Sequence, residues 1–485
     1  MSFFTGLARQ YIDGAWRTGA GAWDIIDVNP YNGDKLASIT IATETEIDTA
    51  YRAARRAQPA WAAVSPHQRR ALIDRALRVV EELESEIAEA ITEELGGTRE
   101  KAVFELAASK EFLREAGELA LRPEGRIIPS VAASRENRLY RNPVGVVGVI
   151  SPFNYPLLLS LKSVAPALAL GNAVVLKPHE DTPVCGGSLI AKIFEDAGLP
   201  QGLLNVVIAD IADIGDAFIA HPVPRVISFT GTADVGRHVG TVCASHFKRC
   251  VLELGGNSAL VVLDDADVDY AVDAAVFSRY VHQGQVCMAA HRILVHRAVE
   301  REFTAKFVAR VRALRTGDPR DPDTVIGPVI NSSQADAIVA AVEQAVADGA
   351  TPLVRGRVRG NLIEPTVLAG IPDHSAVLRQ EILGPVALLI PFEDEAEALR
   401  IVNDSPYGLS GAVHTGVIER GVAFARGVES GMFHVNDSTV HDEPNVAFGG
   451  EKASGVGRLN GDATVDAFTT VQWVSVQHGH TEFPF

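Results

Sequence analysis

Between residues 43 and 120 apolar side chains recur every three or four positions with charges between them, the period of helices that face a core. The spacing predicts helices over Glu46–Trp61 and Pro66–Thr98. Residues 125–142 break that period: Arg126-Ile-Ile-Pro129 and Arg138-Leu-Tyr-Arg141 read as an extended, hairpin-like excursion. Short apolar runs then alternate with helical stretches. Strands are expected at Val144–Ile150, Ala173–Leu176, Leu204–Val207, Val226–Phe229 and Val251–Leu254, with helices at Leu157–Ala169 and near Val184–Ala197, Ile211–Ala220 and Val235–Ser245. The strand runs show no polar alternation, so they belong to a parallel sheet covered on both faces. The fold class is α/β, with a Rossmann-like, doubly wound nucleotide-binding domain.

A second alternating set follows Gly255-Gly256: strand Ala259–Leu263, helix Asp267–Tyr280, strand Ile293–His296 and helix Glu300–Arg315. Helices near Gln334–Asp348 and Glu395–Asn403 continue it, with short strands between. The final run, Phe468–Gln477, mixes β-favouring and polar residues as an exposed edge strand does, and such edges are rarely left unpaired. Together with 125–142 it suggests a subunit-pairing element.

At 485 residues the chain exceeds one ordinary core. A hydrophobic content of 47% and a mean hydropathy of +0.11 indicate a well-packed globular protein. The 44 Lys and Arg against 61 Asp and Glu give a net charge of −17, spread along the chain, which disfavours a nucleic-acid or anionic-membrane surface. Cys185, Cys243, Cys250 and Cys287 form neither a disulfide framework nor a Cys-x-x-Cys pair, which points to a reducing compartment. The run Met1–Gln10 has no basic head followed by a long apolar stretch, so no signal peptide is expected. The most apolar window, 156–176, contains Lys162, Pro166, Gly171 and Asn172 and reads as helix, turn and strand, not as a membrane span. A cytoplasmic enzyme without metal, membrane or nucleic-acid partners is the expectation.

Cys287 lies in Tyr280-Val-His-Gln-Gly-Gln-Val-Cys-Met288, between a predicted helix and a strand. A lone thiol in such a place is more often a small buried hydrophobe than a nucleophile. Two other runs reverse that preference. Val251-Leu-Glu-Leu-Gly-Gly-Asn-Ser258 ends an apolar strand with a carboxylate, Glu253, and Ser151-Pro-Phe-Asn-Tyr-Pro156 presents the amide of Asn154 in a tight turn after another strand. A thiol, a base and an amide donor are what carbonyl oxidation through a thioester requires.

The dinucleotide fingerprint Gly-x-Gly-x-x-Gly is missing after the strands. Gly231-Thr-Ala-Asp-Val-Gly-Arg237 matches a Walker loop only in spacing, since Arg237-His238 stands where Lys-Ser/Thr would hold phosphate and Mg²⁺. Phe229-Thr-Gly-Thr-Ala-Asp-Val-Gly236 runs from a strand end into a helix N-terminus, a place that suits a pyrophosphate and equally an ordinary capped helix. Lys177 and Glu180, in Val175-Leu-Lys-Pro-His-Glu-Asp-Thr-Pro183, sit where they can grip a ribose or simply be solvated.

Taken together, and in this order along nearly the whole chain, these runs resemble the aldehyde dehydrogenase superfamily. The likeness includes Pro-Phe-Asn-Tyr-Pro, Lys-Pro-x-Glu, Phe-Thr-Gly-Thr, Glu-Leu-Gly-Gly-Asn, Gln-Gly-Gln-Val-Cys, Gln380-Glu-Ile-Leu-Gly-Pro385 and Phe448-Gly-Gly-Glu-Lys-Ala-Ser-Gly455. It implies an NAD(P)-binding domain over 1–122 and 144–254, a catalytic domain over 255–450, and an oligomerisation arm from 123–143 and 466–485, in a homodimer or homotetramer. It implies Cys287 as nucleophile, Glu253 as general base and Asn154 as oxyanion donor. It places NAD, or NADP, against Ser151, Pro152, Phe153, Lys177, Glu180, Gly215, Phe229, Thr230, Gly231, Thr232, Leu254, Gly255, Glu381 and Leu383, without the usual glycine fingerprint. Leu383 and Phe153 replace aromatic residues common at those positions, Phe and Trp respectively, which bears on cofactor packing and substrate fit.

The Lys-Pro-His-Glu and Gln-Val-Cys-Met runs and the terminal His-Thr-Glu-Phe-Pro-Phe485 look most like the branch acting on aromatic aldehydes such as benzaldehyde, vanillin or salicylaldehyde. The pocket residues expected are Tyr155, Leu158, Leu159, Lys162, Tyr280, Val281, Met288 and Phe448. Lys162 keeps open a succinate-semialdehyde or aliphatic alternative, because a cation there would clamp a carboxylate. A catalytically silent NAD-binding protein is the reading from another class.

Overall fold

The computed structural model describes residues 3–485; Met1 and Ser2, the start of the run read as lacking a signal peptide, lie outside the described residues. One sheet has the strand order Ala15–Arg17, Gln10–Ile12, Leu204–Val206, Ala173–Lys177, Val146–Ile150, Val226–Gly231, Arg249–Leu254, Gly455–Val456. From Leu204–Val206 to Arg249–Leu254 the neighbours are parallel. Every residue of Ala173–Lys177 is buried, which is why the run carries no polar alternation. After Val146–Ile150 the chain builds outward on one side, then returns to place Val226–Gly231 on the other. The crevice beyond the strand ends at such a reversal is where doubly wound sheets bind their ligands.

The Gly255-Gly256 link leads into a second sheet, ordered Thr351–Val354, Thr366–Ala369, Val386–Phe392, Ala290–His296, Ser258–Val262, Gly411–His414, His434–Val435. Its pairs are parallel except Thr351–Val354. The short strand Gly455–Val456 returns to the first sheet and pairs antiparallel with Leu252 and Glu253, so the chain beyond residue 450 braces the strand that carries that carboxylate. A third sheet joins Thr469–Gln477 to Arg135–Pro143, antiparallel from Thr469↔Pro143 to Gln477↔Arg135, with Arg126–Ile128 alongside. It projects apolar side chains into solvent: Ile127, Val471 and Trp473 are all exposed.

Three expected helices differ in detail. Pro66–Thr98 is two helices, Pro66–Glu82 and Glu84–Leu95, and Arg99–Leu119 follows a left-handed cap at Gly96 (φ 66°). Both pieces bury side chains in one core, so the apolar period runs across the break at Leu83 without marking it. The stretch 184–197 opens with a π turn, Val184–Ser188, before Leu189–Asp196, because the Glu94 carboxylate takes the amides of Val184 and Cys185, each at 2.8 Å. Ile211–Ala220 is cut into Ile211–Ile214 and Ala217–Ala220 at Gly215, whose φ of 49° interrupts the helix. Among the described residues no helix is long and apolar enough to cross a membrane.

Candidate active site

Asn154, Glu253 and Cys287 arrive from three elements and line two adjoining cavities in common. Asn154 stands in the turn between strand Val146–Ile150 and helix Pro156–Ala169, where proline at the first helical position sets the chain direction. Its Oδ1 accepts from the Tyr155 amide at 3.0 Å and its Nδ2 donates to the Gln285 carbonyl at 2.9 Å, leaving the second amide hydrogen free. The asparagine is thereby tied directly to the loop that carries the thiol.

That loop is held in an unfavourable backbone conformation. Buried His282 and Gln283 both adopt left-handed backbones, φ 49° and 56°, which cost side-chain-bearing residues about 1–3 kcal/mol each. Surrounding bonds hold them there. Gln283 Nε2 donates to the carbonyls of Gly96 and Pro328 at 3.0 and 2.9 Å, Gln285 Oε1 accepts from the Ile330 amide at 3.0 Å, and Arg279 donates to Gly284 at 2.9 Å. The two glutamines of Gln-Gly-Gln are structural members of the site. Beneath the loop, a side chain at Gly256 would collide with the Cys287 carbonyl, which explains the second glycine of the Leu-Gly-Gly-Asn run.

The electrostatics separate the three groups. Burial, then the carboxylates of Glu381 and Glu253, push the Cys287 thiol up to about 12, so its proton must be taken by a base before it can attack. Burial also raises Glu253, partly offset by Lys162, whose Nζ lies 3.5 Å from Glu253 Oε1. That oxygen is shut off from solvent and faces the ammonium at the limit of hydrogen-bond length.

The smaller cavity, about 70 Å³, is walled by Phe104, Ala108, Phe112, Tyr155, Leu158, Leu159, Val286, Met288, Leu409, Val440 and Phe448. Tyr155, Leu158, Leu159, Met288 and Phe448, expected in a pocket, all line this cavity. Val281 packs behind that wall against the same apolar cluster without lining the cavity. Two expected residues are elsewhere. Tyr280 is in the core of the second sheet, its ring against Phe307 and its hydroxyl donating to Thr366 at 3.2 Å, because the helix ending at Tyr280 turns that face inward. Lys162 lies behind the cavity, 3.0 Å from Asp442 and beneath the Phe448 ring, 3.4 Å from its centre. Burial works against its charge, but Asp442 and Glu253 outweigh that and hold its pKa above that of free lysine. Among the described residues lining this cavity none is Lys or Arg.

Sequence reading missed Phe104, Ala108 and Phe112, which come from a helix far upstream, and Val440, His441 and Asp442, which come from a loop near the other end. A phenylalanine on a helix at apolar spacing carries no sign of which neighbour it faces, so no local signal marked them.

The larger cleft, about 430 Å³, opens at the reversal of the first sheet and is lined by all the residues assigned above to the cofactor: Ser151, Pro152, Phe153, Lys177, Glu180, Gly215, Phe229, Thr230, Gly231, Thr232, Leu254, Gly255, Glu381 and Leu383. Lys177 donates to Glu180 at 2.6 Å, and although burial opposes it this cation keeps the Glu180 carboxyl below its ordinary value. Thr232 precedes the helix Ala233–Ser245 without capping it, so the first amides remain for an anionic group. Ser151 Oγ is buried without a partner, and Ile211, Ile219, Val235 and Val239 add an apolar wall. Glu381 accepts from the Gly256 amide at 3.1 Å, and burial pushes it up to about 7; a side chain at Gly255 would occupy its place. A helix end with uncapped amides, the carboxylates of Glu180 and Glu381 and an apolar wall are of a kind that fits a dinucleotide.

Comparison with known proteins agrees with this geometry. A family model described as "Aldehyde dehydrogenase family" matches residues 16–474. A benzaldehyde dehydrogenase of Bacillus subtilis is 53% identical over 479 residues, covering 99% of each chain. The crystal structure of an NAD-dependent benzaldehyde dehydrogenase from Corynebacterium glutamicum superposes with a TM-score of 0.90 at 42% identity, covering 97% of this chain and 98% of that one. A salicylaldehyde dehydrogenase from Pseudomonas putida G7, complexed with salicylaldehyde, does so with a TM-score of 0.96 at 34% identity, covering 98% and 99%.

Proposed function

The chain belongs to the aldehyde dehydrogenase family, and from that premise we propose that it oxidises aromatic aldehydes to carboxylic acids, with Cys287 as nucleophile, Glu253 as general base and Asn154 as oxyanion donor. One observation carries the proposal. The thiol, the carboxylate and the amide stand at the junction of a carbon-walled cavity and a dinucleotide-sized cleft.

In this reading the Cys287 thiolate adds to the aldehyde carbon while Asn154 Nδ2 and the Cys287 backbone amide donate to the developing oxyanion. NAD(P), when bound, supplies the acceptor for the hydride that the carbon gives up. Cys287 is left holding the acyl group as a thioester. Glu253 then takes a proton from water, the water oxygen attacks the thioester carbon, and Cys287 departs as thiolate with release of the acid.

The aromatic assignment rests on the walls. Apolar burial at about 25 cal/mol per Å² stabilises a ring by a few kcal/mol where acetaldehyde leaves the space empty. Lys162, the cation behind the semialdehyde alternative, is already neutralised by Asp442 and Glu253, and Asp442 adds a carboxylate to the cavity rim. A substrate carboxylate would thus meet repulsion. We expect kcat/KM to fall in the order benzaldehyde or vanillin, hexanal, succinate semialdehyde, measured as reduced-cofactor formation in one buffer. A lead for succinate semialdehyde would overturn the assignment.

NAD is the proposed cofactor in preference to NADP. The ionised Glu180 accepts from ribose hydroxyls and repels a 2′-phosphate, and its partner Lys177 is already committed to it at 2.6 Å. The expected result is a lower KM for NAD than for NADP with one aldehyde; the reverse order would remove Glu180 from this role. We further infer the domain division given by sequence, a cytoplasmic location, and a homodimer or homotetramer paired through the third sheet, whose exposed Ile127, Val471 and Trp473 give it an apolar contact surface.

A further inference from the structure

We propose that His282 is a positioning residue that sets the register between the Asn154 amide and the Cys287 loop. This rests on the reading of Asn154 as oxyanion donor. His282 lies five positions before Cys287 and its side chain is fully enclosed, yet neither ring nitrogen completes a hydrogen bond. One nitrogen faces the backbone of Asn154, and the ring meets Tyr155 edge to face, centroids 5.4 Å apart. Its own carbonyl accepts from the Gln285 amide at 2.9 Å, and the Gln285 carbonyl accepts from Asn154 Nδ2 at 2.9 Å. His282 thus closes a ring of contacts: side chain to the Asn154 turn, backbone to Gln285, and Gln285 back to the Asn154 amide.

Two features set this residue apart. Its φ of 49° is a conformation that glycine would adopt at less cost, so a side chain there is kept against backbone preference. An enclosed imidazole with unpaired nitrogens is unfavourable in a core that an apolar ring could fill equally well. Burial and the nearby Lys101 ammonium hold His282 well below its ordinary pKa, so it acts as a neutral ring and not as an acid or base. In free enzymes such contacts are commonly long and tighten when substrate binds.

The test is a double-mutant cycle of His282→Phe and Asn154→Ala, read as the pre-steady-state burst rate and steady kcat with benzaldehyde and NAD. Asn154→Ala alone is expected to lower the burst rate about 10²–10³-fold. His282→Phe in the native background is expected to lower it about 10²-fold, the cost of a displacement near 1 Å, with KM for NAD moving far less than kcat. In the Asn154→Ala background the same substitution should cost less than about threefold, since the group it positions is gone. His282→Asn, whose amide can donate to the Asn154 backbone, should recover part of the loss, and it serves in the cycle if the phenylalanine variant does not fold. Equal losses in both backgrounds, or no loss in either, overturn the positioning role alone. A fully active Asn154→Ala overturns the oxyanion assignment as well.

Discussion

Replacing Cys287 by alanine is expected to abolish aldehyde oxidation, lowering turnover by more than about 10⁴-fold, while dinucleotide binding survives. Without the sulfur no thioester forms, and the other thiols cannot substitute. Cys185 is buried against Glu94, Cys243 is buried in the helix Ala233–Ser245, and Cys250 lies on the strand leading to Glu253; none lines either cavity. The cleft side chains that would grip the cofactor, Lys177, Glu180 and Thr232, belong to other elements and do not depend on the thiol. The measurement pairs an activity assay with titration of NADH fluorescence. Substantial turnover by the alanine variant would sink the thioester route, whereas loss of both activity and binding would mean that the Cys287 loop also shapes the cleft.

Glu253→Gln is expected to acylate and give a burst of reduced cofactor, then turn over about 10²–10⁴-fold more slowly, with the acyl group retained on Cys287 and visible by mass. Glu253 lines both cavities together with Cys287, where a deacylating water would reach its carboxylate. Lys162 keeps its 3.0 Å bond to Asp442 in the variant, so the buried charge is not left alone. Glu253 acts on the thiol electrostatically, and with the assigned base gone the burst itself should slow. The pH dependence has a definite sign. Burial raises the Glu253 pKa, so the base is lost as pH falls, from a higher pH than for free glutamate, and kcat falls with it. That acid limb should vanish in the glutamine variant. Unchanged steady turnover would rule out the assigned role.

The linear sequence determined the α/β class, the two parallel sheets and the paired terminal strand, because hydrophobic period and strand length are local properties. It also singled out Cys287, Glu253 and Asn154, which the fold brings to one junction, since each sits in a short run whose glycines, prolines and glutamines serve the turn that presents it. The cleft residues were legible for the same reason: they cluster at strand ends. Tertiary structure decided what depends on facing. Tyr280 is one residue from Val281, yet it points into the second-sheet core, a difference that a helix terminus makes and a periodicity does not record. Lys162 read as a free cation because its partner Asp442 is 280 positions away; only folding brings the two within 3.0 Å and removes the charge from the pocket. The left-handed backbones at His282 and Gln283 were equally hidden, since neither side chain requires that conformation and bonds to distant Gly96 and Pro328 help to hold it. Local patterns record which groups a chain carries, and long-range packing fixes where they point and which charges remain free.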